Sequence, residues 1–81
     1  MNENLKNINE VTYVELSQIA FLGPARCSSI IDYLDMHDGN LENIMDISHA
    51  EGIGPNIAAQ LAEHFSARPI KGGRAEFKKN M

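Results

Sequence analysis

The sequence predicts an all-α fold: a compact bundle of four to five short helices arranged as two units of helix, tight turn, helix. Three observations carry this expectation. Apolar residues recur at helical spacing through most of residues 11–66. The dipeptide Gly-Pro occurs twice, at Gly23-Pro24 and Gly54-Pro55. Sliding the chain against itself by 31 positions superimposes those dipeptides and the apolar pattern on either side of them.

In that register Leu22 meets Ile53, and Tyr13, Val14, Leu16 and Ile19 meet Ile44, Met45, Ile47 and Ala50. Beyond the turn, Cys27, Ile30 and Leu34 meet Ala58, Leu61 and Phe65. The first helix is expected to open at Thr12–Glu15, where hydroxyl and carboxylate can satisfy free N–H groups as a capping box, and to run to about Ala20. Pro24 suits the first turn of the second helix, which should reach about Leu34, because its missing N–H costs nothing there. Asp35–Asn40 combines turn residues with no apolar period and reads as the linker between the units. Leu41 to about Ala50 is the expected third helix and Pro55 to about Phe65 the fourth. Ser48–Glu51 is a second candidate capping box, which would break the third helix near Ile47; both parses stay open at this stage. The predicted core is Val14, Leu16, Ile19, Ile30, Leu34, Ile44, Ile47, Ile57, Leu61 and Phe65, with Leu22 and Ile53 plugging the turns into it.

Composition bounds the function. With 81 residues and 43% apolar content, the chain suffices for one small domain, expected at residues 11–67 between a flexible segment 1–10 and a flexible tail 68–81. No apolar run exceeds four residues, far short of the roughly 20 that span a bilayer. The start of the chain lacks the basic and apolar stretches of a signal peptide, so a cytoplasmic protein is expected, with no membrane partner. Cys27 stands alone and reads as a small buried thiol. The net charge of −4 is unevenly divided. Residues 1–67 carry two cations against ten acids, whereas residues 68–81 carry Arg68, Lys71, Arg74, Lys78 and Lys79 against Glu76. The body repels a polyanion and the tail attracts one. Phe77 is a candidate stacking or docking residue within that tail.

No catalytic constellation is present in the sequence, and neither an enzyme nor a small-molecule substrate is expected. His37, His49 and His64 share no ligand spacing with one another or with Cys27. Asp35, Asp38, Asn40 and Glu42 lack the spacing and distant Glu of a calcium loop. Ser28-Ser29 has no base nearby in sequence. No metal or cofactor is expected.

The stretch "GIGPNIA" at Gly52–Ala58, with the looser "FLGPARC" at Phe21–Cys27, resembles the hallmark run of tandem helix-hairpin-helix domains found in DNA-processing and repair proteins. The resemblance covers about residues 11–66 and implies contact with the phosphates of duplex or branched DNA through backbone amides, without base readout. Carried onto this sequence, the donors are Gly52, Gly54, Asn56 and Ile57, then Gly23, Ala25 and Arg26, supported by the tail cations Arg68, Lys71, Arg74, Lys78 and Lys79. The implied role is accessory to DNA repair, recombination or replication. Members of the family often place Lys or Arg just after the Gly-Pro; here those positions hold Asn56 and Ala25, and Glu51 precedes the second turn. The alternative expectation is a protein-interaction or regulatory module whose acidic body docks on a basic, DNA-binding partner.

Overall fold

In the computed structural model, which describes residues 5–74, Thr12 caps the first helix as its sequence suggests. The Thr12 hydroxyl accepts from the Glu15 N–H at 3.2 Å, and the Glu15 carboxylate accepts from the Thr12 N–H at 3.0 Å. Helix α1 spans Tyr13–Ser17, shorter than expected. From there the chain tightens into i→i−3 bonds, Ile19 N–H to Leu16 O and Leu22 N–H to Ile19 O. Helix α2 then runs Gly23–Met36 with Pro24 in its first turn.

The second unit repeats this plan at the same 31-residue offset. Asn43 stands where Thr12 stood, and its side chain accepts from the Met45 N–H. The expected α-helix over 41–50 is instead a 3-10 segment, Ile44–His49. Its apolar residues Leu41, Ile44, Ile47 and Ala50 fall at strict three-residue intervals, the repeat of a 3-10 helix rather than an α-helix. Neither earlier parse of this stretch is right, since Ala50 closes the segment in extended conformation. The bonds Ala50 N–H to Ile47 O and Ile53 N–H to Ala50 O duplicate the pair that precedes Gly23. Helix α3 follows at Gly54–Leu61.

Burial follows the repeat as well. Leu16 and Ile47, Cys27 and Ala58, and Ile30 and Leu61 are all fully buried pairs, and Leu22 and Ile53 plug the turns. Ile19, Ile44 and Ile57 pack against the core while half-buried. Val14 is 66% exposed and leaves the predicted core. Ile8, Val11 and Leu41 enter it without having been predicted.

The fold is largely helical, but it is closed by a short parallel pair, β1 at Lys6–Asn7 against β2 at Phe65–Ser66. Residues 5–10, expected to belong to a flexible segment, are therefore ordered, with a 3-10 turn at Ile8–Glu10. Two buried asparagines explain this. The Asn7 side chain takes the Arg68 N–H at 3.0 Å and donates to the Arg68 carbonyl at 2.7 Å. Asn9 does the same for Leu41, accepting its N–H at 3.1 Å and donating to its carbonyl at 2.9 Å. Each side-chain amide stands in for a strand neighbour, satisfying backbone groups that would otherwise be buried unpaired.

Residues 68–74, expected within a flexible tail, instead form a strap across the far end of α2. The Asp35–Asn40 segment is its dock rather than a free linker: Ile70 N–H donates to Gly39 O, and Arg74 N–H to Asp38 O. Gly39 has no room for a side chain, since a Cβ would come within 2.9 Å of Ile70 and Arg74. The strap ends in Arg74, whose guanidinium is buried and donates to the carbonyls of Asn9 at 3.1 Å and Val11 at 2.7 Å and to Asp35 Oδ1 at 3.2 Å.

Candidate nucleic-acid interface

The two Gly-Pro turns build the candidate site. Gly23 and Gly54 adopt φ values of +78° and +67°, which a residue with a Cβ occupies only under strain. A Cβ at either position would meet nothing within 4 Å, so conformation rather than space demands glycine, and the turn surface is open. Gly52 is also left-handed, at +78°, whereas its counterpart Phe21 is not. Phe21 instead turns inward toward the core and lies 6.1 Å from the His64 ring, which is why the first turn fits the Gly-x-Gly run less well.

An α-helix leaves its first four N–H groups without intrahelical acceptors. At α2 these belong to Leu22, Gly23, Pro24 and Ala25. Leu22 already donates to Ile19 and proline has no N–H, so two unmatched amides remain, Gly23 and Ala25. The same count at α3 leaves Gly54 and Asn56. The Gly52 N–H also meets no acceptor among the described residues. Arg26 and Ile57 are the fourth residues of their helices, the first position at which an α-helix can offer the N–H an acceptor of its own. Each helix start adds a partial positive charge of roughly half an elementary charge.

The Arg26 side chain has a different task. Its Nε donates to Gly52 O at 3.2 Å and its Nη1 to Phe21 O at 3.1 Å, joining the two turns. Ser29, one helical turn on, donates to Glu51 O at 2.6 Å. Between these contacts lies an open groove of about 490 Å³ with Gly23, Ala25 and Arg26 on one side and Glu51 and Gly52 on the other. Arg26 remains exposed with N–H groups to spare, and Glu51 is exposed beside it.

The described cations of the C-terminal stretch, Arg68, Lys71 and Arg74, do not converge on this groove. Arg74 is a buried structural residue paired with Asp35, which corrects its assignment as a phosphate-binding tail residue. Arg68 and Lys71 are exposed on the strap. Twelve residues of helix separate Gly23 from Asp35, a rise of about 18 Å, so the strap end docks at the opposite end of α2 from the turns. Phe77, Lys78 and Lys79 lie outside the described residues.

Among the described residues, titration is displaced at Glu15 and at Cys27. Lys6 beside Glu15 holds the Glu15 carboxyl below the ordinary carboxylate range; burial opposes this as the next-largest influence, and the Thr12 N–H adds to the lowering. Burial pushes the Cys27 thiol up, which keeps it protonated and inert. The described residues hold no group of His, Cys, Asp and Glu able to bind a metal ion, and no helix long and apolar enough to cross a membrane. No family model, curated protein or solved structure matches the chain.

Proposed function

We propose that the chain is a tandem helix-hairpin-helix module that binds duplex or branched DNA without sequence preference, as an accessory to repair, recombination or replication. The observation that supports this most directly is the pair of unmatched amides at each turn, Gly23 with Ala25 and Gly54 with Asn56, repeated at one 31-residue offset. Backbone N–H groups at a helix start suit a phosphate oxygen, and contacts of this kind position a protein without reading bases. Arg26 supplies the cation between the turns, and Arg68 and Lys71 add exposed charge at a distance.

Salt-dependent titration with short duplex and four-way junction DNA tests the reading. Each phosphate neutralised contributes about −0.9 to the slope of log affinity against log salt. Arg26, Arg68 and Lys71, with Lys78 and Lys79, therefore cap the slope at about −4.5. Amide chemical shifts should move at Gly23, Ala25, Gly54 and Asn56. No shift at low salt with either DNA rejects the proposal.

A second reading, a protein-interaction module with an acidic docking face, is favoured by the exposed Glu51 on the groove wall and by the withdrawal of Arg74 from the surface. Under it, Glu51→Lys abolishes capture of a basic partner; under the DNA reading the same change strengthens duplex binding.

A further inference from the structure

We infer that Arg26 and Ser29 are positioning residues that hold the two turns at a fixed separation and orientation, so that both engage one backbone ligand together. The inference rests on the DNA reading above. Three side-chain hydrogen bonds carry it. Arg26 grips its own turn through Phe21 O at 3.1 Å and the other through Gly52 O at 3.2 Å. Ser29 grips Glu51 O at 2.6 Å. All three donors project from α2, and two of the three acceptors lie in the segment that leads into α3. Those two carbonyls belong to adjacent residues, so the second turn is held at two points and cannot pivot about one.

The residue types suit the task. A guanidinium is a planar fork that can serve two separated carbonyls at once, which an ammonium on a flexible stem does less well. Glu51 and Gly52 are exposed and would otherwise be free to drift on the left-handed hinge at Gly52. Two weak anion sites gain from being linked only when their geometry permits simultaneous engagement, and linkage of that kind is worth about 10²- to 10⁴-fold.

The experiment compares the full chain with Arg26→Lys, Ser29→Ala and Ser29→Thr, each checked by circular dichroism. Residual dipolar couplings of the free proteins report the orientation of Gly52–Asn56 relative to α2, and titration with a 16-base-pair duplex reports affinity. Arg26→Lys and Ser29→Ala should scatter the couplings of Gly52–Asn56 and weaken duplex binding about tenfold, a partial loss of the linkage gain. Ser29→Ala removes no charge, so its salt slope should equal that of the original, and Ser29→Thr should restore both readouts. Binding within twofold of the original for Arg26→Lys and Ser29→Ala overturns the inference and reduces Arg26 to a surface cation. Should the unaltered chain fail to bind DNA, the proposed function falls, and the couplings alone then decide: unchanged couplings in both variants overturn the positioning role as well, and changed ones uphold it.

Discussion

Replacing Arg74 by Met keeps the length of the stem and deletes the guanidinium. In the native fold that group serves the carbonyls of Asn9 and Val11 and the carboxylate of Asp35, with the side chain 3% exposed. Two buried carbonyls would lose their donor, at about 1–3 kcal/mol each. Asp35 is 33% exposed, so water absorbs most of its loss and little is added there. A destabilisation of about 3 kcal/mol follows, at the lower end of what breaking a buried pair costs. A domain of this size holds about 4–12 kcal/mol in total, so the change removes a large part of it. Urea unfolding followed by circular dichroism at an m-value of about 1 kcal/mol/M should then show the midpoint falling by about 3 M. A surface cation on a loose tail would change stability by no more than about 0.5 kcal/mol. A midpoint shift below about 0.5 M would therefore refute the account of Arg74 as a structural clasp.

Four further outcomes are expected. Gly54→Ala should cost about 1–2 kcal/mol through its left-handed backbone alone, because its Cβ meets open space; a loss below about 0.5 kcal/mol, the size of an ordinary surface substitution, would contradict this. Thr12→Ala should cost about 1 kcal/mol by removing the cap of α1, seen as a lower thermal midpoint. Because the Glu15 carboxyl is lowered in the folded state, its favourable contribution is complete above about pH 4.5 and is lost as pH falls through the lowered value; thermal midpoints of the original and Glu15→Gln should therefore converge as pH falls below about 4.5, and a constant gap would refute it. The Cys27 thiol, buried and shifted upward, should react with an aromatic disulfide only at the rate of native-state opening, so its labelling should slow on adding stabilising sulfate.

The repeat was legible because its signals are local. Gly-Pro punctuation, the Thr12–Glu15 box and the apolar period each depend on residues within a turn or two of one another. The 3-10 character of Ile44–His49 was less legible, because the three-residue spacing of Leu41, Ile44, Ile47 and Ala50 that suits it is also tolerated on one side of a short α-helix. What escaped were polar residues whose partners lie far along the chain. Nothing local marks Asn7 or Asn9 as buried; their roles are set by Leu41 and Arg68. Arg74 sits in a Gly-rich basic run that reads as solvated, and only Asn9, Val11 and Asp35 make it a core residue. At the site, the open amides of Gly23 and Gly54 followed from the turn signals. The bridge from Arg26 to Gly52 did not, because it spans 26 residues.

The asparagine staples also impose an order in time. Asn9 joins a segment 32 residues away at Leu41 and another 59 away at Arg68, and Asn7 reaches 61 residues to Arg68. Each helical unit can assemble from neighbours within about thirty residues, but the bonds to Arg68 must wait for the chain to close almost end to end. Contacts that arrive after the rate-limiting step govern how fast the fold comes apart rather than how fast it forms. Asn9→Ala should leave the refolding arm of a chevron in place and steepen escape from the native state, so the lifetime of this small domain is held by its least helical part.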